Sequence, residues 1–151
     1  MTTRVIGLGQ RFAGDDAVGL AVLEALAERP PPGVELHRVA DAAELVELVR
    51  GAERVLIVDA AVGAGPAGTL LTLDADALAQ GAVSLLSTHG MSVRQALDLA
   101  RALGGGTLPR ARLVAIAIDL PERHAQGLSE AVARAVPRAA DRVRELLRAC
   151  S

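Results

Sequence analysis

The chain contains no lysine, asparagine, tryptophan or tyrosine, and only one phenylalanine (Phe12) and one cysteine (Cys150). Without lysine there is no Schiff-base former, no lysine base and no P-loop phosphate ligand. A lone cysteine leaves neither a disulfide framework nor a Cys-ligated zinc site. With Phe12 as the only aromatic ring, there is no platform for stacking bases or sugars. Charge of one sign is also lacking: 16 basic residues, all arginine, face 18 acidic ones for a net charge of -2. That balance carries no nucleic-acid footprint. Long apolar runs are missing too. The longest, Val55 to Gly65, is broken by Asp59, so no membrane span is expected. The opening Met1–Gly9 lacks the apolar segment and cleavage site of a signal peptide, which predicts a cytoplasmic protein. What remains is a chain of 151 residues, 51% hydrophobic and 23% charged. It has the size of a single domain over residues 1–151 that buries roughly two-thirds of its unfolded surface.

Short β-rich runs alternate with helical stretches. Arg4–Gly9 reads as a strand entering a glycine turn, and a helix follows from Asp15 with Gly19, Val22, Leu23 and Leu26 at helical spacing. Arg29-Pro-Pro-Pro-Gly33 stops it. Val34–Ala40 alternates like a half-buried strand, and Asp41 with Glu44 forms a capping box opening a short helix through Val49. Arg54–Asp59 is the best buried strand. The Ala60–Gly68 loop is too short for a crossover helix, so the strand after it, Thr69–Leu73, is expected to run antiparallel or sit at an edge. Ser92 and Gln95 form a second capping box for a helix ending at Gly104-Gly-Gly106. Arg112–Leu120 is the fifth strand, and Ser129 opens a helix to Arg148 in which Pro137 should produce a kink. This order predicts an α/β three-layer sandwich: a mainly parallel, five-stranded twisted sheet with helices on both faces.

Ligands of such folds collect at the carboxyl ends of the parallel strands. Gly7-Leu-Gly9 superficially suggests a dinucleotide fingerprint, but Phe12 stands where the third glycine belongs, and Asp15-Asp16 follows where a pyrophosphate would want bare amides. One acid of that pair is explained as a helix cap; the other is not needed for it. Asp59 ends an apolar strand, where a carboxylate is costly to desolvate, and buried acids at strand ends tend to be sites. His89, in Ser87-Thr-His-Gly-Met91, lies in a loop ahead of the second capping box and is expected at the same edge. His37 is expected to be exposed, His124 is a weaker candidate, and Asp119 is a reserve acid at the end of the fifth strand. Two carboxylates and an imidazole from three segments would form an open metal site for a borderline divalent ion.

Taken together, Gly7-Leu-Gly-Gln10 with Gly14-Asp-Asp-Ala-Val-Gly19, Val58-Asp-Ala60 with Gly65-Pro-Ala-Gly-Thr69, Ser87-Thr-His-Gly90, and Gly127-Leu-Ser129 resemble, in order, the signature blocks of the hydrogenase maturation proteases. Gln10 stands where that family usually has Asn, and Arg38–Ala43 departs from its glycine-rich segment. The resemblance implies an aspartyl-type endopeptidase that removes a C-terminal extension from a nickel-iron hydrogenase large-subunit precursor after nickel insertion. It implies that Asp16, Asp59 and His89 contact the substrate's nickel, and that Asp16 and Asp59 contribute to cleavage. Gly9 and Gln10, with the Ala60–Gly68 loop, would shape the peptide cleft. No tightly held cofactor of its own is expected, and the expected partner is the precursor, not nucleic acid or a membrane. The rival readings are a metal-dependent hydrolase of another peptide or amide, and a nickel-binding protein that docks the precursor without cutting it.

Overall fold

The computed structural model describes residues 2–10, 14–74, 77, 92–119 and 127–149. Five strands, β1 (Thr3–Leu8), β2 (Val34–Val39), β3 (Arg54–Val62), β4 (Leu70–Asp74) and β5 (Arg110–Ile118), form one sheet in the order β2-β1-β3-β5-β4. Four helices are among the described residues: α1 (Val18–Glu28), α2 (Leu45–Arg50), α3 (Val93–Leu103) and α4 (Glu130–Ala149). All neighbouring strands are parallel except β4, which pairs antiparallel with β5 at the sheet edge. The short connection after β3 therefore does what its length required.

The central strands β3 and β5 are buried on both faces, as near-continuous apolar runs must be in a covered parallel sheet. Ile6, Val55 and Ile57 pack under α2 and α3 with Leu45, Val49, Ala96 and Leu97. Val5, Leu56 and Val58 pack on the other face with Val22 and Leu26 of α1 and Val132 and Val143 of α4. The switch of face has a topological cause. The chain leaves β1 outward to β2, then returns past β1 to β3, and right-handed crossovers in opposite directions put their helices on opposite faces.

Both capping boxes form. Asp41 accepts from the Ala43 amide while Glu44 receives the Asp41 amide. Ser92 and Gln95 exchange the equivalent pair of bonds, at 3.1 and 2.9 Å. Helix α4 continues unbroken through Pro137. Pro137 and Ala133, whose carbonyl loses its helical donor there, both lie on the exposed face, where water takes over the bond. Several boundaries differ from expectation: β1 is Thr3–Leu8, and α1 begins at Val18 after a 3₁₀ segment, Gly14–Ala17. β3 continues past Asp59 to Val62, because Ala60 and Ala61 stay in register with Ile116 and Ala117. β5 begins at Arg110, which pairs with Arg54. Thr69 precedes β4 and closes a turn, its hydroxyl donating to the Pro66 carbonyl at 2.6 Å.

Candidate active site

The strand order reverses between β1 and β3, and the crevice outside the carboxyl ends of those strands is where an open α/β sheet offers a binding place. Three glycines bring the start of α1 against that crevice. A Cβ on Gly7 would lie 2.5 Å from the Gly19 carbonyl oxygen, and one on Gly9 would lie 2.5 Å from the Asp16 carbonyl oxygen. A Cβ on Gly19 would strike the Leu8 carbonyl and come within 2.6 Å of that of Val58. The Gly-x-Gly turn thus admits the backbone of an acid-bearing turn where a dinucleotide fold would admit a pyrophosphate.

That turn is the 3₁₀ segment Gly14–Ala17. Asp16 is buried within it, only 7% exposed, and Asp59 on β3 is 1% exposed; they are the only buried charged or polar side chains among the described residues. Burial pushes the Asp16 carboxyl up to about 6. Asp59 is raised well above the usual carboxylate range, first by burial and then by the charge of Asp16, against the opposing pull of the Ala60 amide. Asp59 Oδ1 accepts from that amide at 2.8 Å, whereas its Oδ2 is buried with no hydrogen-bond partner among the described residues. Two carboxyl groups of separate elements are therefore desolvated together and feel each other's charge. Such a pair holds protons at pH values where ordinary carboxylates have lost them. The orphaned Oδ2 is an acceptor left open for something the described residues do not supply.

Asp15 does not cap the helix that follows it. The N-cap of α1 is Ala17, with no side-chain bond. Asp15 reaches instead to the start of α4, where its carboxylate accepts from the Ser129 amide at 2.7 Å and the Ser129 hydroxyl at 2.8 Å. The Ser129 hydroxyl is thus turned to Asp15, and the acid also lies at the positive end of the α4 dipole. Sequence reading missed this pairing across 114 positions; the only hint was that Gly127-Leu-Ser129 and Asp15 both belong to the resembling blocks. The Gly65–Thr69 loop is similarly tied down. Gly68 donates to the Ala117 carbonyl at 2.8 Å and accepts from Arg138 at 2.9 Å.

The structure brings Asp16 and Asp59 together, with Gly9 buried beneath the Asp16 backbone and Gln10 exposed beside it. His89 and His124 lie outside the described residues. His37 is half-exposed and engaged elsewhere, 2.9 Å from Glu35, whose carboxyl is held below its usual value by hydrogen bonds from His37 and Arg4. Asp119 does not join the pair. It is exposed and follows Ile118, four positions beyond Ala115, the register partner of Asp59, or about 13 Å along the strand. Among the described residues no three His, Cys, Asp or Glu side chains cluster in metal-binding fashion. None of the helices so described is long and apolar enough to cross a membrane.

A doubly wound α/β sheet with paired buried carboxyls at its switch point is the architecture of this chain, and comparison with known proteins gives it a family. The family model described as HycI, hydrogenase maturation protease, matches residues 39–146. The chain belongs to the hydrogenase maturation protease family, a family of endopeptidases. It is similar to the hydrogenase maturating endopeptidase HybD from E. coli, with a TM-score of 0.82 and 25% identity over 98% of this chain and 93% of that one. HybD from Thermococcus kodakarensis superposes with a TM-score of 0.76 at 24% identity, covering 97% and 99% of the two chains. HycI from the same organism gives 0.70 at 22% identity, covering 97% and 92%. No curated protein sequence matches.

Proposed function

We propose that this protein is an endopeptidase that removes the C-terminal extension of a nickel-iron hydrogenase large-subunit precursor once nickel is in place. The reading places it in the cytoplasm and gives it no tightly held cofactor of its own. The observation that carries it is the buried Asp16–Asp59 pair, with one Asp59 oxygen that has no partner among the described residues, set at the carboxyl edge in a member of the protease family. Asp16, Asp59 and His89 contact the precursor's nickel, a metal that accepts carboxylate, imidazole and thiolate donors together. His89 stands four positions before Val93, and Val93 packs in the same core cluster as Leu8 and Ala61 at the strand ends flanking Asp59. Three ligands leave coordination places for the precursor's own thiolates, so the protease reads a metal that it does not keep. Gly9 and Gln10 line the peptide's path, and the part of the Ala60–Gly68 segment that follows β3, Gly63 to Gly68, forms its wall.

Two chemistries fit the pair. Nickel held between precursor and protease polarises the scissile carbonyl or activates water. Alternatively the two carboxyls share one proton. The ionised member takes a proton from the attacking water, the protonated member gives its own to the departing amine, and the peptide bond is replaced by one C–O and one N–H bond. The burial of both groups favours the second. Intact-mass analysis of nickel-loaded and nickel-stripped precursor after incubation tests both. The expected result is loss of one C-terminal peptide from the loaded precursor, abolished by Asp16→Ala and by His89→Ala. Cleavage of stripped precursor assigns the chemistry to the carboxyls alone. If a related maturation protease cuts the precursor and this chain does not, the protein docks without cutting, or acts on another peptide.

A further inference from the structure

Helix α4 meets both segments that border the buried acids, and it does so close to its own start. Ser129 holds the N-cap position, its carbonyl accepting the Ala133 amide at 2.8 Å. The Ser129 amide donates to Asp15 Oδ1 at 2.7 Å and the Ser129 hydroxyl to Asp15 Oδ2 at 2.8 Å. Both Asp15 oxygens are thereby engaged by the helix, which sets this acid apart from the Asp16–Asp59 pair. Two residues further on, the Gly63–Gly68 wall arrives. Gly68, at a φ of 93°, lies so near that a Cβ on it would come within 2.7 Å of the Ala131 carbonyl oxygen. Arg138 closes over the same residue, donating to the Gly68 carbonyl at 2.9 Å. Side chains of a helix lean toward its N-terminus, so a long one at position 138 covers the turns before it. Arg142 repeats the reach onto the Thr72 hydroxyl of β4, at 2.8 Å.

Packing does not require these ties. Val132, Ala135, Ala139 and Val143 already seat α4 on the sheet. The polar bonds are additional, and two of the segments they hold are the acid turn and the cleft wall. Asp15 and Asp16 are neighbours in a 3₁₀ turn, where three residues complete a turn and successive side chains diverge by about 120°. Asp15 therefore reaches out to α4 while Asp16 is buried. Gly9 sets how deep the turn sits, its missing Cβ admitting the Asp16 carbonyl. The Ser129 fork sets the rotation of the turn about its own axis. A rotation that broke the fork would swing Asp16 away from Asp59.

We propose, on the endopeptidase reading of this cleft, that Asp15, Ser129 and Arg138 are positioning residues. Ser129, through Asp15, fixes the direction of Asp16, and Arg138 fixes the Gly63–Gly68 wall. Misplacing a reacting group slows the chemical step, whereas loosening a peptide-contacting wall weakens binding. Steady-state cleavage of nickel-loaded precursor by the full-length protein should therefore separate the two ties. Ser129→Ala is expected to lower kcat about tenfold with KM changed less than about twofold, and Ser129→Thr, which keeps the hydroxyl, to recover most of that loss. Arg138→Met, which keeps the apolar stem, is expected to raise KM about fivefold at near-native kcat. Arg134→Gln, one turn earlier and 3.7 Å from Glu130, should behave as the native protein. Amide hydrogen exchange on the same variants needs no cleavage. Exchange should quicken over residues 14–18 in Ser129→Ala alone, and over residues 63–69 in Arg138→Met alone. If the native protein leaves the precursor uncut, the endopeptidase reading fails, and exchange alone decides whether α4 holds the two segments. Unaltered exchange in both segments overturns the proposal. So do native kinetics in both variants, or an equal fall in kcat in both with no recovery in Ser129→Thr, which is the mark of general loosening.

Discussion

The buried carboxyls have a consequence for stability that can be signed in advance. Asp16 titrates at about 6 in the folded protein and near 4 in an unfolded chain, so the native state holds that proton more tightly. Stability from this group is greatest below about pH 4, is lost as pH rises to about 6, and changes little beyond. Asp59 acts in the same direction over a window reaching higher, since it is raised well above its usual value. Urea titrations between pH 4 and 7 should show the native protein losing stability relative to Asp16→Asn, by about 1–3 kcal/mol over that interval. Parallel curves for the two proteins would show that Asp16 ionises in the fold as freely as in water. At this scale the sequence was informative in part: a carboxylate in an apolar strand and an acid pair beside the glycine turn are visible as residue types, although neither acid caps the helix that follows. It could not reveal that Asp59 lies three residues inside its strand. Ala60 and Ala61 carry weak strand preference of their own, and only pairing with β5 extends the ladder over them.

At the scale of elements, the turn that carries Asp16 is held by contacts from distant parts of the chain. Glycine contacts press it onto β1 and β3, and the Asp15–Ser129 bonds tie it to α4. A double-mutant cycle of Asp15→Ala and Ser129→Ala should give single costs of about 1–2 kcal/mol and a coupling of about 1 kcal/mol. Strictly additive costs in urea unfolding would mean that the bond does not hold in solution. The capping boxes Asp41–Glu44 and Ser92–Gln95 were legible because both partners lie within one helical turn. The Asp15–Ser129 tie was not, since nothing local marks a bond between residues so far apart. Antiparallel β4 falls between these cases: its partner was unknown, yet a connection too short for a crossover narrowed it to an antiparallel or an edge strand, and it is both.

On the scale of the whole molecule, one sheet separates two cores. Leu45 lies wholly buried on the α2–α3 side and Leu23 wholly buried on the α1–α4 side. Each changed to alanine should cost about 2–5 kcal/mol. Because they share no partners, the double variant should show the sum within about 0.5 kcal/mol and still unfold in a single transition. Two separated transitions would mean that the faces fold independently. The alternation of strands and helices made the sandwich readable, because period-two and period-3.6 patterns are properties of short windows. Which helices share a face was not readable, since that depends on the strand order β2-β1-β3-β5-β4 and on no single window of sequence. One further property follows from the two carboxyls sealed beside the Gly-x-Gly turn. Around pH 5 the unfolded chain must capture protons from the solvent as it folds, so refolding in a weakly buffered solution raises the pH of that solution. The heat of folding measured there will change from one buffer to another by the enthalpy each spends in surrendering those protons.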